Sequence, residues 1–392
     1  MADGWRWLRC GAFLSSREEY GGTPETLLSM SVANGVIPRD VEAGRAASED
    51  LSGYRRVQPS DLVVNRLVAR DGAFAVSRYE GSVSPAYWVL ICDRRVAEPS
   101  YLHHAFRSKE LLAEVWRRSK DMPPAQFDLP WQLFKTMPIL LPPLATQRAI
   151  AEYLDRETAR IDTLVREQQR LIEMLRERRA AVLSGVFEAG PSTKTTKVGR
   201  LLAARPSYGV LVPTYVDEAE GVPFVRVGDL MNLAPERPML AISPEQSDEY
   251  SRTKVAGGEV LLGVVGKMGQ AALAPRWLAG ANVARAVAVL RCSDPAVAPL
   301  LCAWLGSNSF MHQANLATSG DSIQPTLGMK DLARFDISLP TDSKAAAHLA
   351  GRLAKIDALI AETERFIELV RERRSGLITA AVMGQIDVRV AA

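Results

Sequence analysis

The sequence predicts an α/β (α+β) chain: two domains of mixed strands and helices, separated by two long helices that pair as an antiparallel coiled coil, with an internal pseudo-two-fold duplication. Three observations carry this expectation. A charged helical segment occurs twice, a Leu-Pro pair introduces each copy, and the two intervening stretches share an order of β-like and helical runs. The expected boundaries are 1–141 for the first mixed domain, 142–190 for the first long helix, 191–339 for the second domain and 340–392 for the second helix.

The repeated segment reads IDTLVREQQRLIEMLRERRAAVLSGV from Ile161 and IDALIAETERFIELVRERRSGLITAA from Ile356. The copies align without a gap, so that Ile161, Asp162, Ile172 and Arg179 fall on Ile356, Asp357, Ile367 and Arg374. Two charged helices share a run such as RERR by chance, but not a whole register. Apolar residues recur at heptad spacing with a third apolar position beside the seam. The packing residues read from this pattern are Ile161, Leu164, Leu171 and Leu175 in the first copy and Ile356, Leu359, Phe366 and Val370 in the second. Gln168 and Arg178, matched by Thr363 and Arg373, read as polar interruptions of the seam, which cost stability and fix register. Thr146 and Asp342 or Ser343, just after Leu141-Pro142 and Leu339-Pro340, are the expected N-caps. Each helix then runs for about 40 residues, or roughly 60 Å.

The stretches before the helices share little sequence. Both hold short β-like runs (DLVVNRLVA and AYWVLIC; FVRVGDL, EVLLGVVG and AVAVLRC) bounded by turns. Each then has a helical stretch, YLHHAFRSKELLAEVWRRSK or APLLCAWLGSNSFMHQANLA, a polar loop, DMPPAQFDLP or TSGDSIQPTLG, and an apolar strand leading to the Leu-Pro. The same order with divergent residues points to one fold used twice, with surfaces adapted to different targets.

Composition narrows the function classes. The chain of 392 residues is 47% hydrophobic and 24% charged, as ordinary globular proteins are, and no apolar run approaches the ~20 residues that cross a membrane. The four cysteines are scattered without a C-x-x-C pair, which argues against a disulfide framework or a zinc site and for reduced thiols in the cytoplasm. A net charge of +3 permits nucleic-acid binding without arguing for it. Motifs for chemistry are missing. The GVVGKM run at Gly263 lacks the spacing and the Ser/Thr of a phosphate-binding loop, and no H-E-x-x-H or N-P-P-aromatic sequence occurs. His103 and His104 have no ligand cluster near them in sequence and read as an exposed helix position. The abundant carboxylates alternate with arginines along the long helices as a solvated face.

These residues carry a resemblance. LPPLATQRAIAEYLD with the repeat that follows resembles the central repeat of the specificity (S) subunits of type I restriction–modification systems, and ERFIELVRERRSGLITAAVMGQIDV resembles their C-terminal repeat. GYRRVQPSDLVVNRL, VSRYEGSVSPAYWVL, FVRVGDL, KVAGGEVLLGVVGKMG and SGDSIQPTLGMKDLARFDISLP stand in the order of that family's target recognition domains. The chain departs from the pattern at GWRWLRCGAFLSSREE, where the family has a longer lead-in, and in a second repeat that is shorter between Leu-Pro and Ile-Asp. The resemblance implies a non-catalytic subunit. Each recognition domain would read one half of a split double-stranded DNA site, while the paired helices space the halves and dock two modification (methyltransferase) subunits. It also implies restriction (motor-nuclease) subunits in the larger assembly, no cofactor on this chain, and S-adenosylmethionine and ATP with magnesium on the partners. The competing reading is a structural coiled-coil scaffold whose α/β domains bind proteins.

If the domains read DNA, side chains that reach base edges or phosphates are needed, chiefly Arg, Lys, Asn and Gln. The candidates in the first domain are Arg55, Arg56, Asn65, Arg66, Arg70, Arg78, Tyr79 and Lys120. In the second they are Arg226, Lys254, Lys267, Gln270, Arg285, Ser319 and Gln324. Asn65, Arg66 and Lys267 rank first because they end β-like runs, where a side chain projects from a loop.

Overall fold

The computed structural model describes residues 4–23, 26–32, 35–39, 50–122, 126–187, 192–266, 268–318, 326–386 and 388. They form two compact units: unit 1 is Met1–Gln168 with Arg365–Ala392, and unit 2 is Gln169–Glu364.

In unit 1 a four-stranded antiparallel sheet runs in the order Leu14–Ser16, Tyr87–Cys92, Leu62–Asn65, Phe74–Val76. Apart from the edge strand Leu14–Ser16, its strands are near-continuous apolar runs because both faces are covered. Leu62, Val64, Phe74 and Leu90 face a core shared with the helices Pro99–Ala105 and Lys109–Arg118. Val63, Ala75 and Val89 face the opposite way, onto Leu28, Val36, Val57 and Val83 of two small sheets. Unit 2 repeats the plan. Ser207–Tyr208, Val287–Leu290, Val260–Gly263 and Ala271–Leu273 form a sheet of the same order. Val260, Leu262, Ala288 and Leu290 meet the helices Ala298–Leu305 and Asn308–Thr318, while Leu261, Val287 and Val289 fill a second core.

The helical stretch predicted in each domain is broken in the middle by a serine. Ser108 Oγ accepts from the Leu111 N–H and Ser307 Oγ from the Phe310 N–H, so each starts a second helix as its N-cap. The FVRVGDL run is a strand only to Val225; Val227–Asp229 forms a 3-10 turn. Two short helices with no period in the sequence, Trp131–Lys135 and Met329–Arg334, precede the strands Pro138–Leu141 and Asp336–Pro340. Those strands pair antiparallel with Arg6–Arg9 and Thr193–Lys197. In both units a 3-10 turn then presses a glycine against the short helix. A Cβ on Gly11 would lie 2.9 Å from Lys135 Cβ, and one on Gly199 would lie 3.0 Å from the Ala333 carbonyl oxygen. A larger residue at either place would push the short helix away.

The long helices are Leu144–Phe187, of 44 residues, and Ser343–Val382, of 40. The second is capped by Asp342, whose carboxylate accepts from the N–H groups of Lys344 and Ala345. The first begins at Leu144, directly after Pro142-Pro143, so Thr146 lies inside it and is not its cap. Within each unit the helix segments run antiparallel. In unit 1, Ile150, Ala151 and Leu154 share a core with Ile378, Ala381 and Val382, and Arg374 pairs with Asp162 at 3.0 Å. In unit 2, Leu183 and Phe187 share a core with Leu349 and Leu353, Arg179 pairs with Asp357 at 2.6 Å, and Arg176 with Glu364 at 2.9 Å.

Burial moves the seam one residue from part of the expected set. Leu175 and Ile356 are buried, and Ile161, Leu164 and Val370 half-buried, but Leu171, Leu359 and Phe366 are exposed. The inward positions beside them are Ile172, Ile367 and the hydroxyl-bearing Thr363. With three apolar positions in each heptad, spacing alone does not say which two face the partner. The second polar interruption also shifts. Arg178 and Arg373 point to solvent, and their neighbours Arg179 and Arg374 carry the ion pairs. Adjacent residues therefore separate the two registers. Replacing Ile172 (6% exposed) by Ala should cost about 2 kcal/mol or more, whereas Leu171→Ala (37% exposed) should cost under about 1 kcal/mol. Chemical denaturation followed by circular dichroism measures both, and equal losses would return the seam to Leu171.

Candidate nucleic-acid interface

In unit 1, Arg55 and Arg56 lie on the strand Arg55–Val57, paired with Gly81–Val83, and Arg78 and Tyr79 sit in the turn that leads into the latter strand. Arg56, Arg78, Tyr79 and Lys120 are exposed. Arg56 also borders a polar cleft of about 180 Å³ with Gln58, Thr23, Thr26 and Glu80. Neither threonine nor Gln58 stands out in the sequence, because only folding brings Thr23 and Thr26 beside this strand.

The other candidates in unit 1 are committed to the fold. The Arg55 guanidinium lies over the Tyr20 ring at 5.4 Å. Asn65 ends its strand as expected, but its Oδ1 accepts from the Leu67 N–H and shapes the turn. Arg66 pairs with Asp128 at 3.4 Å. Arg70 is 9% exposed and its guanidinium lies over two rings, 4.2 Å from Trp116 and 3.8 Å from Phe127.

In unit 2, Arg285 is exposed on the turn between Ala284 and Val287, and its N–H donates to Val210 O. That turn holds the backbone of residue 209 so closely that a Cβ on Gly209 would lie 1.8 Å from Val283 O. Beyond it the exposed Leu211 and Val212 are pinned by Gln246, which accepts from the Thr214 N–H and donates to Val212 O. Arg226 is exposed but tied to Asp229 at 3.3 Å, and Lys254 is paired with Asp248. Gln270 is half-buried, and its backbone carbonyl receives the Gly263 N–H. Lys267, Ser319 and Gln324 lie outside the described residues. In each unit the described candidates thus divide between exposed side chains and side chains engaged by neighbours. Arg56, Arg78 and Arg285 are the exposed arginines among them with no carboxylate partner among the described residues.

The chemistry of the remaining polar groups is structural. Burial pushes the thiols of Cys10, Cys92 and Cys302 up to about 12 and that of Cys292 to about 11, which holds them as neutral SH groups. No cluster of three or more His, Cys, Asp or Glu able to hold a metal occurs among the described residues. Nor is any helix there long and apolar enough to cross a membrane. The histidine pair is not at an exposed position, contrary to the sequence reading. His104 is 3% exposed and its Nε2 lies 2.7 Å from an Asp155 carboxylate oxygen on the first long helix. His103 Nδ1 lies 3.3 Å from the Val76 N–H and its Nε2 3.4 Å from Arg107 Nη1. A neutral imidazole accepts at one nitrogen only, so one of these two contacts is a hydrogen bond and protonation would remove it.

Similarity to known proteins agrees with this architecture. The chain is 26% identical over 280 residues to the EcoBI specificity subunit of a type I restriction enzyme from Escherichia coli, a match covering 64% of this chain and 58% of that protein. The match therefore spans under two thirds of that relative's length. A putative type I specificity subunit, MjaX, from Methanocaldococcus jannaschii is 22% identical over 371 residues, or 87% of this chain and 81% of that protein. A solved structure described as showing complex assembly and conformational transition of the type I restriction–modification system has the same fold. It matches with a TM-score of 0.63 and 18% identity over 97% of this chain and 98% of its own. No protein-family model matches the chain. In sequence and in fold alike, the chain is similar to type I specificity subunits.

The histidine pair gives unit 1 a pH signature. Burial, with Arg107 next, holds His103 down at about 3 against its ordinary 6.5. Between those values the unfolded chain binds a proton that the folded chain refuses, so stability drops as pH falls through that window. Asp155, held below the usual carboxylate range by His104, acts in the same direction at the lower end. The melting temperature of unit 1 should fall between pH 7 and pH 5, and His103→Leu should flatten that slope whatever it does to the absolute value. A wild-type slope in the variant would show that His103 does not titrate this way.

Proposed function

We propose that the chain is the DNA sequence-recognition subunit of a type I restriction–modification complex. Domains 1–141 and 191–339 would each read one half of a bipartite site, and the helices of 142–190 and 340–392 would set the spacing and dock two methyltransferase subunits. The observation that carries this reading is the duplication itself. One framework of sheet, Ser-broken helix pair and short helix is built twice, on long helices that keep their register, while the exposed residues on the two copies differ. Duplicated readers with different surfaces imply an asymmetric, split target, and a helical spacer implies a fixed gap between its halves. The chain would do no chemistry of its own. Methyl transfer with S-adenosylmethionine, and ATP-driven translocation and cleavage, would belong to the partner subunits in the cytoplasm.

A methylation assay tests the reading. The purified chain with its methyltransferase subunits should modify a split sequence, and exchanging one recognition domain for that of a relative should change one half of the site only. A scaffold whose domains bind proteins would leave the modified sequence unchanged. The ruler is tested separately by inserting one heptad into each long helix. An extension of about 10 Å should widen the gap by about three base pairs, and an unchanged gap would remove the helices from that role. Alanine at Arg56, Arg78 or Arg285 should weaken binding by about 1 kcal/mol or more, with loss of discrimination only where the side chain meets a base edge. Competition binding against single-base variants of the site separates the two cases.

A further inference from the structure

We propose that unit 1 holds a phosphate-binding pocket built around Arg107, at the junction of its sheet, the helix Pro99–Ala105 and the long helices. A cavity of about 340 Å³ there is lined by Gly35, Arg78, His103, Arg107, Asp162 and Arg374, among others. Three arginines and two aspartates line this space, and both carboxylates are engaged: Asp155 by His104, and Asp162 by Arg374. Arg107 has no carboxylate. Its Nε donates to Phe74 O at 3.0 Å, its Nη1 sits near His103, and its Nη2 is buried with no hydrogen-bond partner. A buried, unmatched guanidinium is costly, and its forked N–H groups fit the oxygens of a phosphate. Burial, with Arg374 next, holds Arg107 down to about 10, and Asp162 opposes this only in part.

Unit 2 supplies the control. Counted from the capping residues Ser108 and Ser307, the positions of His103, His104 and Arg107 are taken by Cys302, Ala303 and Gly306. In the helix repeat, Ala350 takes the place of Asp155. The ion pair is retained as Arg179 with Asp357, and a Cβ on Gly306 would lie 3.6 Å from Arg179 Nη1. The same framework therefore stands with a glycine beside the seam arginine. Unit 1 places a second arginine there, next to a like charge, which an anion would stabilise.

The phosphate could come from the DNA backbone, in which case the pocket deepens the DNA-reading proposal, or from free phosphate in solution. The test uses the full chain with Arg107→Gly, the residue unit 2 carries, and Arg107→Gln, which keeps part of the side chain. Inorganic phosphate is titrated by calorimetry at constant ionic strength, with chloride replaced. Wild type should bind saturably and both variants about tenfold or more weaker, as the loss of a charge-assisted hydrogen bond implies. Duplex binding is then measured across a range of salt. A backbone source predicts that the variants lower the salt slope by about one and that inorganic phosphate competes with the duplex. A free source predicts unchanged duplex binding alongside the lost phosphate titration. Wild type that shows no saturable phosphate binding, with variants that keep its salt slope, overturns the pocket even if Arg107→Gly does not fold. A chain that binds phosphate through Arg107 but no duplex overturns the DNA reading and leaves the pocket standing.

Discussion

Two ion pairs with exchanged roles, Arg374 to Asp162 and Arg179 to Asp357, are the constraint on which the arrangement of each unit depends. In each, an arginine from the end of one repeat meets the aspartate at the start of the other. Both pairs are part exposed, so each is worth at most about 1 kcal/mol, and apolar burial along the seam supplies the larger share of helix pairing. The ion pairs contribute direction and register. Side-by-side parallel helices would bring arginine to arginine, and a slip by one turn would leave charges on the seam without partners. Once the helices are fixed in this sense, each unit takes the beginning of one helix and the end of the other into its core.

The long helices were legible in the sequence because their signal is local. Heptad spacing, a Leu-Pro boundary and a repeated register are all read within a few turns. What failed was finer: the choice between Leu171 and Ile172, or between Arg178 and Arg179, is a rotation about the helix axis, and only the partner surface settles it. The sheets were visible as apolar runs, but not their pairing, since Leu62 meets Leu90 and Val76 through contacts far apart in the chain. The short helices Trp131–Lys135 and Met329–Arg334 were invisible for a different reason. They bury one aromatic or leucine each, too few residues to show a period.

Legibility was poorest at the candidate interface. A list of arginines does not distinguish one that projects from one that packs, and the partners that decide the matter come from elsewhere. Trp116 and Phe127 enclose Arg70, Asp128 holds Arg66, and Asp229 holds Arg226. Arg107 is hidden in the sequence for the converse reason. It sits in an unremarkable helical stretch, and its significance appears only when Arg374, far along the chain, is placed beside it.

The two units differ in one respect that bears on how the chain reaches its folded state. Unit 2 is a continuous stretch, Gln169–Glu364, whereas the core of unit 1 is completed by Ile378, Ala381, Val382 and Val388. During synthesis from the N-terminus, the residues of unit 1 emerge first but cannot finish their core until the second long helix has been made. Unit 2 has all its contacts to hand earlier and can close while unit 1 waits with apolar surface uncovered. Order of appearance and order of completion are therefore inverted, and the interval between them is when the chain is most open to association with other surfaces.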